Sequence, residues 1–173
     1  MAIRKPRLSD RRDGYAGTKM LSAETHQPKA TVLVIEDSPE VQRYFRFVLE
    51  LDHYRVEVAD NGEEGLQRLR KGCTPGVVLL DMQMPGMDGL QTLQRLRTAY
   101  PSLKVIMCSA LDDPDLIRQA LRMGAQAYLV KPIQHLYLSA ALERCLIQPL
   151  PERSRQPNAS VVPIPFSGLP RPN

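Results

Sequence analysis

The chain has 173 residues and a formal net charge of +4, room for one domain with extensions. The charge is uneven: residues 1–30 hold seven Lys/Arg against three Asp/Glu, residues 31–148 thirteen against fifteen, and residues 149–173 three against one. The basic excess therefore belongs to the ends, and the mildly acidic centre speaks against a DNA-binding face there.

Residues 1–29 are polar and basic with no apolar period, which predicts a disordered extension. They lack the apolar core of a signal peptide, and no run in the chain approaches the ~20 apolar residues that span a bilayer. A cytoplasmic protein without membrane insertion is expected. Cys73, Cys108 and Cys145 lie far apart, as do His26, His53 and His135, so neither a disulfide framework nor a zinc site is expected. The thiols read as buried or half-buried in a reducing compartment.

Residues 30–148 alternate regularly. Thr31 to Ile35 is an apolar, β-branched run. Ser38-Pro39-Glu40 is an N-cap with Pro in the first turn, and Val41, Tyr44, Phe45, Val48 and Leu49 recur at helical spacing. Tyr54 to Ala59 alternates like a strand, and Glu63 to Lys71 is helical with Leu66 and Leu69 inward. Val77 to Leu80 is a third strand, followed by a helix near Leu90 to Thr98. Leu103 to Cys108 is a fourth strand, and Pro114 to Met123 a helix stopped by Gly124. Ala127 to Val130 is a fifth strand, and Gln134 to Ile147 the last helix. Residues 149–173 hold seven of the fifteen prolines, which predicts a flexible tail with polyproline-like stretches. The apolar patch from Val161 to Phe166 is read as part of that tail in preference to a docking peptide.

Five strands each followed by a helix predict an α/β fold with a parallel sheet covered on both faces. The doubly wound order 2-1-3-4-5, flavodoxin-like, is the expected solution, with ligands bound beyond the carboxyl ends of the strands near the switch point. Glu36 and Asp37 end the first strand and Asp81 ends the third. Carboxylates meeting in one crevice raise one another's pKa unless a cation neutralises them, and hard oxygen donors suit Mg²⁺. Ser109 ends the fourth strand, and Lys131-Pro132 follows the fifth, with a cis bond suggested by the tight turn. Met84-Pro85-Gly86-Met87-Asp88-Gly89 is turn chemistry, with Asp88 as the cap of the next helix.

Four motifs carry a resemblance: VLVIEDSPEV at 32–41, VVLLDMQMPGMDG at 77–89, VIMCSA at 105–110 and GAQAYLVKP at 124–132. In this order and spacing, residues 31–148 closely resemble the receiver domain of two-component response regulators. The resemblance implies that Asp81 is the phosphoacceptor, taking a phosphoryl group from a phosphohistidine of a sensor kinase or phosphotransfer protein. It implies Mg²⁺ held by Glu36, Asp37, Asp81 and the backbone carbonyl of Gln83. It implies that Lys131 and Ser109 bond the phosphoryl oxygens, and that Tyr128 rotates inward when Ser109 moves, changing the surface around the fourth helix, fifth strand and fifth helix. The chain departs mildly from the pattern, with Glu36 and Ser109 where Asp and Thr are commonest and Gly76 where an acid is frequent. Leu111, two residues after Ser109, is expected to hinder the water that hydrolyses the acyl phosphate.

The tail after Ile147 is too short for a helix-turn-helix output domain, so a stand-alone module signalling through a protein target is expected, with no enzymatic output. Two rival functions are weighed. A phosphohydrolase with an Asp nucleophile needs a second acid two residues on, where this chain has Gln83. A nucleic-acid binder would use the basic N-terminal arm and show steep salt dependence.

Overall fold

The computed structural model describes residues 27–148. The expectations for the segments before and after this range, the Val161 to Phe166 patch included, lie outside the described residues. Ten elements alternate: β1 (Thr31–Ile35), α1 (Pro39–Leu51), β2 (Arg55–Ala59), α2 (Gly62–Arg70), β3 (Val77–Asp81), α3 (Gly89–Ala99), β4 (Lys104–Ser109), α4 (Pro114–Arg122), β5 (Ala127–Val130) and α5 (His135–Ile147).

Successive side chains of a strand point to opposite faces, and here the two faces are separate cores. Val32, Val34, Val77 and Leu79 pack with Phe45, Val48 and Leu49 of α1 and Leu138 and Leu142 of α5. Leu33, Ile35, Val78 and Leu80 pack with Leu66 and Leu69 of α2, Leu93 and Leu96 of α3 and Ala120 of α4. Strands apolar at every position can only sit between two helical layers, which requires parallel pairing and crossover helices. The sheet is parallel with order β2-β1-β3-β4-β5. The expected doubly wound topology is therefore present.

The caps read at Ser38 and Asp88 are present, and Asn61 and Asp113 join them. Ser38, Asn61, Asp88 and Asp113 accept backbone N–H bonds at the starts of α1, α2, α3 and α4. Gly124 follows α4 at φ +101°, a conformation in which a Cβ is strained. At the other end of the molecule Lys104 Nζ donates to the carbonyls of Cys145 (2.6 Å), Leu146 (2.9 Å) and Gln148 (2.8 Å), holding the carboxyl end of α5.

Two expectations shift. β3 and β4 each run one residue past the apolar stretches Val77 to Leu80 and Leu103 to Cys108, because parallel pairing continues through Asp81 with Cys108 and Ser109 with Val130. Tyr44, which recurs at helical spacing with the apolar residues of α1, is 39% exposed. The inward positions of that helix are Phe45, Val48 and Leu49, and Tyr44 lies on the rim with its hydroxyl engaged elsewhere.

Candidate functional site

The register of the sheet assembles the site. Ile35 pairs with Leu80, so the next residues, Glu36 and Asp81, stand level on neighbouring strands. Together with Asp37 they offer carboxylate oxygens that all lie within 4.8 Å of one another. Glu36 and Asp81 are buried, at 2% and 4% exposure, and Asp37 faces solvent. β5 delivers the counter-charge. The Lys131 N–H donates to the Ser109 carbonyl at 2.7 Å, and Lys131 Nζ donates to Glu36 Oε2 and Asp81 Oδ1, each at 2.7 Å. The Lys131–Pro132 bond is cis.

The second Asp81 oxygen is also held. Asp81 Oδ2 accepts the Gln83 N–H at 3.0 Å, so Gln83 contacts the acid through its amide. Ser109 is fully buried, and its Oγ accepts the Leu111 N–H at 3.0 Å. The Leu111 carbonyl in turn accepts the Tyr128 hydroxyl at 3.0 Å. Ser109 and Tyr128 therefore hold the same loop residue, one through its N–H and the other through its carbonyl.

Three carboxylates and one ammonium leave the cluster with an excess of negative charge. Burial, reinforced by the charge of Asp81, holds the Glu36 carboxyl above its usual range despite the Lys131 hydrogen bond. Burial alone would lower Lys131, but its hydrogen bonds and ion pairs with Asp81 and Glu36 outweigh this and raise it. Burial thus sets the direction at Glu36, and the summed hydrogen bonds and ion pairs with its two carboxylate partners set it at Lys131. A divalent cation with hard oxygen ligands fits this donor set and charge. Cys108, beneath the site on β4, is a buried thiol pushed far up by desolvation.

Three residues beside the site had no role there assigned from the sequence. Gln42 on α1 donates to the Glu36 carbonyl at 2.6 Å and to Asp60 Oδ1 at 2.9 Å, fixing the turn that carries Glu36 and Asp37. In sequence it is one polar residue on an amphipathic helix, with no signal of its own. The Tyr44 hydroxyl donates to the Ile133 carbonyl at 2.6 Å. Gly89 was expected for turn freedom. Instead a Cβ there would lie 2.3 Å from the Asp81 carbonyl oxygen and 2.7 Å from Met82 Cα, so Gly89 serves close approach of α3 to the end of β3. Asp88 caps α3, accepting the Gln91 N–H at 2.8 Å.

A family model described as "Response regulator receiver domain" matches residues 32–143. The chain belongs to the response regulator receiver family. Within the family it is 40% identical over 116 residues to the probable C4-dicarboxylate response regulator DctR of Priestia megaterium, covering 66% of this chain and 50% of that protein. It is 44% identical over 118 residues to a positive alginate biosynthesis regulatory protein of Pseudomonas aeruginosa, covering 65% of this chain and 46% of that protein. The receiver thus spans about half the length of these curated relatives. Against the chemotaxis protein CheY of Listeria monocytogenes it is 33% identical over 115 residues, covering 65% of this chain and 95% of that protein. A solved receiver domain protein from Clostridium thermocellum matches with TM-score 0.64 and 32% identity, covering 68% of this chain and 94% of that one. Receivers of two-component systems are phosphoproteins that bind Mg²⁺ at an acidic pocket and work with histidine kinases or phosphotransfer proteins; they are not enzymes in the ordinary sense. Among the described residues no helix is long and apolar enough to cross a membrane.

Proposed function

We propose that this receiver takes a phosphoryl group onto Asp81 from a phosphohistidine of a sensor kinase or phosphotransfer protein and signals through protein contacts. The observation that supports it most is one buried carboxylate, Asp81, held by Lys131 and flanked by two further acids within 4.8 Å. In this reaction an Asp81 carboxylate oxygen forms a bond to phosphorus as the phosphorus–nitrogen bond of phosphohistidine breaks, and the imidazole leaves with the electron pair and takes up a proton. Lys131, already at the cluster, holds one phosphoryl oxygen by an ion pair. Ser109 Oγ turns from Leu111 to a second oxygen.

Mg²⁺ would be held by Glu36, Asp37, Asp81 and the Gln83 carbonyl, supplying positive charge opposite the transferring oxygens. Release of the Leu111 N–H by Ser109 loosens the loop that Tyr128 also grips. A charge event at Asp81 is thereby read out as a packing change around α4, β5 and α5. That surface is our candidate for the output contact, in a cytoplasmic module that works as a single receiver. The match that covers 95% of a chemotaxis protein and 65% of this chain supports this organisation. Incubation with Mg²⁺ and acetyl phosphate tests the proposal. Mass spectrometry should show one added phosphoryl group on the wild type and none on Asp81→Asn.

A further inference from the structure

We infer that Tyr44 is a positioning residue for Lys131, acting through the loop between β5 and α5; the inference rests on the phosphoryl-acceptor role proposed for Asp81. The ammonium of Lys131 is useful only where it meets Glu36 and Asp81 together, at 2.7 Å from each. A four-carbon side chain does not secure that by itself, so the position of residues 131–134 matters. Upstream the loop is tied to the sheet by the Lys131 N–H on the Ser109 carbonyl, 2.7 Å. Pro132 has no N–H to donate. Gln134, the N-cap of α5, makes no side-chain capping bond; the Ile133 side chain is buried in the core, which leaves the orientation of its peptide groups to hydrogen bonds. Downstream the Ile133 carbonyl accepts the Tyr44 hydroxyl at 2.6 Å, the short end of the range for hydroxyl donors.

The helix that presents Tyr44 is rigid. Phe45, Val48 and Leu49 anchor α1 in the core. The same helix holds the opposite side of the contact, because Gln42 bonds the Glu36 carbonyl. Ammonium and carboxylate are therefore both referenced to α1, two residues apart on it. Displacements of about 1 Å in such geometry can cost on the order of a hundredfold in rate, which gives a rim hydroxyl on α1 leverage over the chemistry.

Tyr44→Phe removes the hydroxyl and keeps the ring. The full chain is compared with Tyr44→Phe for uptake of phosphoryl from acetyl phosphate with Mg²⁺, a small donor that needs no protein docking, and for the ¹H–¹⁵N signal of the Lys131 ammonium without any donor. Uptake should slow about fivefold, the worth of one neutral hydrogen bond, and the Lys131 signal should shift or broaden. Phe47→Ala, exposed on the same helix, should change neither. An unaltered Lys131 signal, or slower uptake with that signal in place, would overturn the inference. The signal decides the positioning even if the wild type takes up no phosphoryl group, a result that instead contradicts the role of Asp81. If Tyr44→Phe melts below the assay temperature, Tyr44→Leu must give the same pair of changes.

Discussion

At the scale of single residues, the acidic cluster shows why charge and burial have to be weighed together. Glu36, Asp37 and Asp81 were legible as a crevice of acids because each stands at the carboxyl end of an apolar strand run. What could not be read was that Lys131 bridges two of them, or that Ser109 and Tyr128 share Leu111, since those contacts depend on side-chain reach across the sheet. Leu111 is 37% exposed and bonded through its N–H to Ser109, and we propose that its apolar side chain shields an acyl phosphate on Asp81 from water. Leu111→Glu should shorten the phosphoryl lifetime by on the order of tenfold, about 1.4 kcal/mol of barrier, followed as loss of the adduct after donor removal. A lifetime equal to wild type would contradict that role. A separate titration lies between α1 and α5. Burial raises the Asp52 carboxyl, but the hydrogen bond from Ser139 and the close approach of the His135 imidazole outweigh it and hold the group below its usual value of 3.8. His135 Nε2 lies 3.0 Å from that carboxylate. A lowered folded pKa means stability present above 3.8 and lost as pH falls through the folded value. Urea midpoints of wild type should therefore drop more steeply below pH 3.8 than those of Asp52→Asn.

At the scale of elements, order and type followed from periodicity, while ends depended on pairing. β3 and β4 each run one residue further than their apolar stretches because the neighbouring strand supplies hydrogen-bond partners. Tyr44 fits the helical period but lies at the edge of the buried face, and periodicity alone does not locate that edge. The turn after β3 separates two explanations of its residues. Asp88 acts as a cap, so Asp88→Ala should cost about 1 kcal/mol in chemical unfolding while phosphoryl uptake persists. Gly89→Ala drives a methyl group into the Asp81 and Met82 backbone, an overpacking worth about 1–3 kcal/mol, and should also slow uptake because the end of β3 must move. If Asp88→Ala lost uptake and Gly89→Ala kept it, both assignments would be reversed.

At the scale of the whole molecule, alternating β and α segments sufficed for the topology, since strands apolar on both faces leave few alternatives to a doubly wound sheet. The same topology brings β1, β3, β4 and β5 ends together, so the main members of the site came with the fold. Its bracing from α1, by Gln42 and Tyr44, did not, because neither residue differs in sequence from ordinary helix surface. A folded state with an excess of carboxylates should bind Mg²⁺ better than the unfolded chain does. At a hundredfold excess over the dissociation constant this adds about 2.7 kcal/mol of stability. A melting temperature that rises with Mg²⁺ in wild type and much less in Asp37→Ala would support that linkage; equal rises in both would count against the acid cluster as the site. The central claim is tested most directly by exposing the chain to acetyl phosphate and Mg²⁺ and weighing it intact. One added phosphoryl group, absent in Asp81→Asn, is the predicted result, and no adduct on wild type, or an adduct undiminished in Asp81→Asn, would contradict it.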